Sequence, residues 1–101
     1  MEYQFNDNFL WGAASSGPQS EGTFPGDGKA EMEWDYWFKQ VPEQFFDGVG
    51  PSVTSDFYHK YKEYAKLMKE IGMNSYRTSI QWSRIFKDRE GTVNEEGVTF
   101  Y

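Results

Sequence analysis

The chain is 101 residues long, has a formal net charge of −6 and contains no Cys. That composition excludes a disulfide-stapled scaffold, and the absence of a basic patch removes nucleic acid as a partner. No apolar run approaches the roughly 20 residues that span a bilayer, so no membrane partner is expected either.

The N-terminus, Met1-Glu2-Tyr3-Gln4-Phe5-Asn6-Asp7-Asn8, is polar. It lacks the basic region and apolar core of a secretory signal, and a cytoplasmic, soluble protein is the expectation. Aromatic residues make up 20% of the chain. Planar rings fill cores and also stack on sugar faces, and core filling is the commoner use.

The first predicted element is a strand from Phe9 to about Ser15. It opens as a continuous apolar run, as a strand buried on both faces does. It passes into the small residues Gly12, Ala13, Ala14, Ser15 and Ser16, which let backbone or ligand approach closely. Gln19 and Glu21 follow, so the strand delivers an amide and a carboxylate to its C-terminal end. An amide donates and accepts at once, which suits a pair of sugar hydroxyls.

Residues 19–52 then read as a long irregular stretch with Pro25, Pro42, Pro51 and the Gly26-Asp27-Gly28 turn signal. A loop of that length in a compact domain tends to be functional. Within it, Met32-Glu33-Trp34-Asp35-Tyr36-Trp37-Phe38 predicts one or two helical turns. Gly26-x-Gly28 has no strand-turn-helix setting and is not a dinucleotide fingerprint.

A helix is predicted from Thr54 to Ile71. Phe57, Tyr61, Tyr64, Met68 and Ile71 recur at spacings of four and three along one face. Thr54, Ser55 and Asp56 offer N-caps, Lys66 and Lys69 suit the C-terminal dipole, and Gly72 suits a left-handed cap. His59 is the only histidine. With no Cys beside it, no metal site and no nucleophile triad is expected.

The second strand is predicted from Asn74 to about Gln81. Tyr76, Thr78, Ile80 and Trp82 alternate with Ser75, Arg77, Ser79 and Gln81. The larger apolar side chains on one face suit helices outside, and the polar stripe suits a site inside. Ser83 to Thr92 reads as a loop. Asn94 is an N-cap candidate for a second helix, with Glu95 and Glu96 in its first turn.

Arg77 is the sharpest single residue. A guanidinium on an interior strand face must be paired or it costs several kcal/mol. Spacing alone leaves two readings open, an interior Arg and a surface Arg on an edge strand.

Two segments carry a family resemblance. Phe9-Leu-Trp-Gly-Ala-Ala-Ser-Ser-Gly-Pro-Gln-Ser-Glu-Gly-Thr23 resembles the N-terminal signature of the family-one glycoside hydrolases, the retaining β-glycosidases. Asn74-Ser-Tyr-Arg-Thr-Ser-Ile-Gln-Trp-Ser-Arg-Ile85 resembles their second signature. Trp34-Asp35, the Asp56-x-Tyr58-His59-x-Tyr61 run, Val93-Asn94 and Phe100-Tyr101 also fit. Pro18 departs from the pattern, where an aromatic, Asn or His is usual. Its fixed φ and missing N–H bear on how the loop presents Gln19.

The resemblance implies an α/β fold, the N-terminal portion of a (β/α)8 barrel. Residues 1–101 would be the first βαβ unit and the start of the next helix in a single, incomplete barrel domain. It implies that Gln19 binds hydroxyls of the sugar whose bond is cut. Arg77 would stand beside the nucleophilic carboxylate and keep it ionised. Glu21 would hold the loop. Retaining glycosidases need two carboxyls about 5–5.5 Å apart. In the family both lie in Asn-Glu-Pro and Glu-Asn-Gly contexts, and neither occurs here, so no catalytic carboxylate is assigned within this chain. No cofactor and no metal is implied.

Thr54–Tyr58 and Arg77–Ile85 look most like the bacterial 6-phospho-β-glucosidases. The implied partner is therefore a small β-glucoside, 6-phosphorylated. The alternatives are a β-glucosidase or β-galactosidase acting on plain sugars and, in another class, a non-catalytic carbohydrate-binding module. Such a module would need a planar row of exposed rings on a self-contained sheet, usually antiparallel.

Overall fold

The computed structural model describes all 101 residues. A strand β1 (Gly12–Ala14) leads through one helical turn, α1 (Gly17–Ser20), into the long connection. The connection holds helix α2 (Glu33–Gln40) and two short 3₁₀ turns. Helix α3 (Phe57–Glu70) then returns the chain to strand β2 (Ser75–Arg77), followed by the short helices α4 (Trp82–Ile85) and α5 (Glu95–Phe100). The two strands pair in parallel, with Gly12 opposite Ser75, Ala13 opposite Tyr76 and Ala14 opposite Arg77.

The strand–helix–strand unit is thus the predicted one, with shorter strands. Just before β1, Trp11 O accepts from Asn74 N (2.9 Å) and Ser75 N (3.1 Å), and the Asn74 side chain adds two further bonds. Trp11 N donates to Asn74 Oδ1 (2.8 Å), and Asn74 Nδ2 donates to Phe9 O (3.1 Å). At the other end Ser15 N donates to Arg77 O at 3.0 Å, so extended pairing continues past Ala14. Gly12 is required by this closeness. A Cβ there would stand 2.2 Å from Ser75 O, inside any real contact.

Helix α3 begins three residues after the predicted start at Thr54, with Asp56, the last of the cap candidates, at the N-cap position. Asp56 precedes it with φ +52°, and its side chain caps nothing. Its Oδ1 instead pairs with His59 Nδ1 at 2.6 Å, and the His59 ring packs edge-on against Phe24. The predicted apolar stripe does turn toward the sheet. Phe57 stacks on Tyr64 at 5.5 Å and lies 5.7 Å from the Tyr76 ring. Ile71, beyond the helix end, stays 70% exposed. Gly72 takes φ +86° and ends the helix, as its position predicts.

Two expectations after β2 are corrected. The period-two alternation stops at Arg77, and Trp82 opens α4 instead of ending a strand. Residues 83–92 are not all loop, because Ser83, Arg84 and Ile85 are helical and Phe86 bridges antiparallel to Val93. Asn94 precedes α5 but makes no side-chain cap. Its Nδ2 is spent on Asp27 O and Arg84 O.

The centre of the molecule is polar. The ten buried residues are Ser20, Glu21, Asp27, Asp35, Gln81, Arg84, Asn94 and three glycines; no apolar side chain is buried. The radius of gyration is 16.7 Å, against about 13 Å for a compact domain of this length. The apolar stripes of α3 and β2 therefore line an open groove of about 610 Å³, closed on one side by Phe100 and Tyr101.

Candidate functional site at the strand C-termini

Because β1 and β2 run parallel, their C-terminal ends share one edge of the sheet. That edge carries α1 after β1, and Arg77 and α4 at and after β2. In open and closed parallel α/β folds, ligands collect at this edge.

Gln19 sits on α1, exposed, its Oε1 accepting from Ser16 Oγ at 2.9 Å. The amide nitrogen makes no bond within the chain. Pro18 occupies the first turn of α1, where a missing N–H leaves no intrahelical bond unmade and φ is already helical. The departure at Pro18 therefore supports the turn that carries Gln19. A cavity of about 280 Å³ opens beside it, lined by Ser16, Pro18, Gln19, Trp34, Phe45 and Pro51. An amide and two aromatic rings thus meet in one concave place.

Arg77 closes β2. Tyr76, its neighbour, turns toward α3, so alternation sends Arg77 to the opposite sheet face. It is exposed, and its side chain makes neither a hydrogen bond nor an ion pair within these 101 residues.

Beneath both lies a buried polar knot that sequence reasoning did not assign. Arg84 is 0% exposed. Its Nε donates to Glu21 Oε2 (2.6 Å), Nη1 to Asp27 Oδ2 (3.2 Å) and Nη2 to Gly22 O (2.8 Å). The guanidinium also lies 3.9 Å from the centre of the Tyr58 ring, a cation–π contact. Glu21 is saturated. Gln81 Nε2 donates to its Oε2 at 2.7 Å and Tyr101 OH to its Oε1 at 2.6 Å. The expected loop-holding role of Glu21 is what this geometry provides. Burial, together with the bond donated to Glu21, pushes the Tyr101 phenol well above its usual value. Burial likewise raises Tyr58, opposed by the Arg84 charge.

Charge complementarity is the one trace of this knot in the sequence, and across 63 positions it does not single out partners. Glu21 and Arg84 are opposite charges, one in each of the two motif segments.

The long connection is tied down in the same manner. Lys29 Nζ, its side chain 1% exposed, donates to Asp35 Oδ2 at 2.6 Å. Thr23 Oγ1 donates to Asp35 Oδ1, and Met32 N to Asp35 Oδ2, both at 3.1 Å. Trp34 is thereby fixed at the rim of the Gln19 cavity. The three buried carboxylates, Glu21, Asp27 and Asp35, are each held by a cation. No group of three or more His, Cys, Asp or Glu is arranged to hold a metal.

The sequence pattern described as glycosyl hydrolase family 1 matches residues 1–101. The chain belongs to glycosyl hydrolase family 1. Among its relatives, the 6-phospho-beta-glucosidase GmuD of Bacillus subtilis (strain 168) is 48% identical over 100 residues, 99% of this chain and 22% of the relative. Beta-glucosidase A of Acetivibrio thermocellus is 45% identical over 97 residues, 96% of this chain and 21% of the relative. The crystal structure of the AHE enzyme from Alicyclobacillus herbarius superposes with a TM-score of 0.85 at 41% identity, covering 98% of this chain and 22% of that one. The chain thus spans about a fifth of the length of the family 1 relatives it matches.

Proposed function

We propose that this chain is the first βαβ unit, with the start of the next helix, of a (β/α)8 glycosidase domain. The full-length enzyme hydrolyses 6-phospho-β-glucosides with retention of configuration. The observation that carries the reading is the family 1 match across all 101 residues, joined to the parallel pairing that puts both motif segments at one sheet edge.

In this reading the two catalytic carboxyls lie outside the 101 residues. Gln19 binds hydroxyls of the sugar whose bond is cut, and the rings beside it offer a face for that sugar. Arg77, unpaired here, faces the barrel interior and keeps the nucleophile ionised. No cofactor or metal takes part. The enzyme works in the cytoplasm, where sugars phosphorylated on uptake are found. No helix is long and apolar enough to cross a membrane.

The phosphorylated substrate is supported by the 48% identity to GmuD. A second reading, hydrolysis of plain β-glucosides, is supported by the 45% identity to Beta-glucosidase A. A stand-alone carbohydrate-binding module is disfavoured, because the strands pair in parallel across a helix rather than as an antiparallel platform.

The test is kcat/KM of the full-length enzyme on a 6-phospho aryl β-glucoside and on its plain counterpart. A 6-phosphate forms charge-assisted hydrogen bonds that a hydroxyl cannot, so efficiency should be higher on the phosphorylated sugar. Equal or better efficiency on the plain sugar selects the second reading and leaves Gln19 and Arg77 in their roles.

A further inference from the structure

Gln19 has little of its own to hold it in place. It stands exposed on a four-residue turn, and its one side-chain bond is to Ser16 within that turn. A single helical turn is not stable by itself in water. The back of the turn is fastened at both ends to the segment after β2. At its start, Gly17 N donates to Ser79 Oγ at 3.1 Å. A Cβ at Gly17 would stand 2.2 Å from Gln81 Cγ, so the turn lies directly on the Gln81 side chain. At its end, Glu21 N donates to Gly17 O (2.9 Å), and the Glu21 carboxylate is bound by Arg84, Gln81 and Tyr101. Gly17 and Ser20 are buried while Gln19 is not.

The geometry points to Arg84 as a positioning residue for Gln19. Its three guanidinium nitrogens each take a different acceptor, Glu21 Oε2, Asp27 Oδ2 and Gly22 O, and the last of these fixes the backbone three residues beyond Gln19. A planar fork with this spread of donors locks direction as well as distance, which a lysine ammonium does not. A buried ion pair adds little net stability, because desolvation offsets its Coulomb energy. What this one contributes is the location of the turn relative to β2, and hence of the Gln19 amide relative to Arg77. This inference rests on the reading that Gln19 binds the sugar.

The test is a double-mutant cycle in the full-length enzyme, reading kcat/KM on the substrate preferred above. Gln19→Ala lowers kcat/KM. Arg84→Lys is expected to lower it about tenfold with Gln19 present, since small misplacements of a binding group are costly. With Gln19→Ala already in place, Arg84→Lys should change it by less than about twofold, the usual margin for additivity. A purely structural role would not produce that non-additivity. If Arg84→Lys costs the same factor in both backgrounds, the positioning role is overturned while the Gln19 reading stands. If Gln19→Ala alone has no effect, the Gln19 reading falls, and the inference falls with it. Should Arg84→Lys fail to yield folded enzyme, Tyr101→Phe carries the same cycle. It removes the hydroxyl that donates to Glu21 Oε1 and accepts from Gln81 N.

Discussion

Arg77→Ala in the full-length enzyme should lower kcat by about 10²–10³-fold, the loss typical of removing one preorganised charge partner at a reacting centre. KM should change little, because in the proposed role Arg77 acts on the nucleophile and not on the bound sugar. The warrant in the structure is the isolation of this residue. Arg77 ends β2 on the sheet face away from α3 and has no acidic partner in 101 residues that hold 16 Asp and Glu. The other arginine of the second signature, Arg84, takes three acceptors at once. A guanidinium left free at the functional edge of a parallel sheet is placed to meet a carboxylate brought by another strand. The pH profile gives a second readout. An adjacent guanidinium lowers a carboxylate's pKa by roughly 1–3 units. Its removal raises the nucleophile's pKa, so the acidic limb of the kcat profile should move to higher pH. Near-normal turnover with an unmoved acidic limb would return Arg77 to the reading of a surface residue on an edge strand.

What was legible in the sequence was what is encoded locally. The apolar run at Phe9–Trp11, the four-and-three spacing from Phe57 to Met68 and the alternation around Tyr76 each reflect one element's own periodicity. The helix and the second strand appear at their places in the fold, whereas Phe9, Leu10 and Trp11 precede β1 and stay 42%, 69% and 49% exposed, since nothing in these 101 residues covers the strand expected to be buried on both faces. The limits of those elements were less legible, because pairing partners set them. The Asn74 side chain reinforces the pairing at Trp11, a contact between residues 63 apart. Helix α4 left no signal, since four residues give no period to detect.

The site divides the same way. Gln19 could be placed beyond the end of the first strand from spacing, and Arg77 on the second strand, though not at its end, which spacing set at Gln81. The buried knot could not, because Arg84 meets Glu21 across 63 positions and Asp27 across 57. An Arg in a polar stretch is ordinarily solvated. Nothing in Trp82-Ser-Arg-Ile85 marks this one as the most buried side chain in the molecule.

The 101-residue chain by itself should hydrolyse no aryl β-glucoside and should hold its tertiary structure weakly. The energetic reason is the distribution of burial. Folding is driven by apolar area removed from water, yet no apolar side chain here is buried. Trp11, Ile80 and Trp82 are 49%, 66% and 75% exposed, and the stripe of α3 looks into the open 610 Å³ groove. Two strands leave both outer edges unpaired, and a two-stranded sheet is marginal in water without further cover. The purified chain should therefore bind a hydrophobic dye and show fast amide exchange outside the Arg84 knot, where the hydrogen bonds are buried. Its inactivity has a separate cause. Retention needs one carboxyl free to protonate and a second free to attack, about 5–5.5 Å apart. The buried candidates are already committed, Glu21 and Asp27 to Arg84 and Asp35 to Lys29. Turnover of the aryl glucoside above the buffer rate would mean that two of the chain's carboxyls do this work, and the placement of the catalytic pair outside it would be wrong. Inactivity combined with a cooperative, dye-free unfolding transition would separate the two halves of the prediction. The carboxyl argument would survive, and the polar knot alone would have to supply the stability that apolar burial does not.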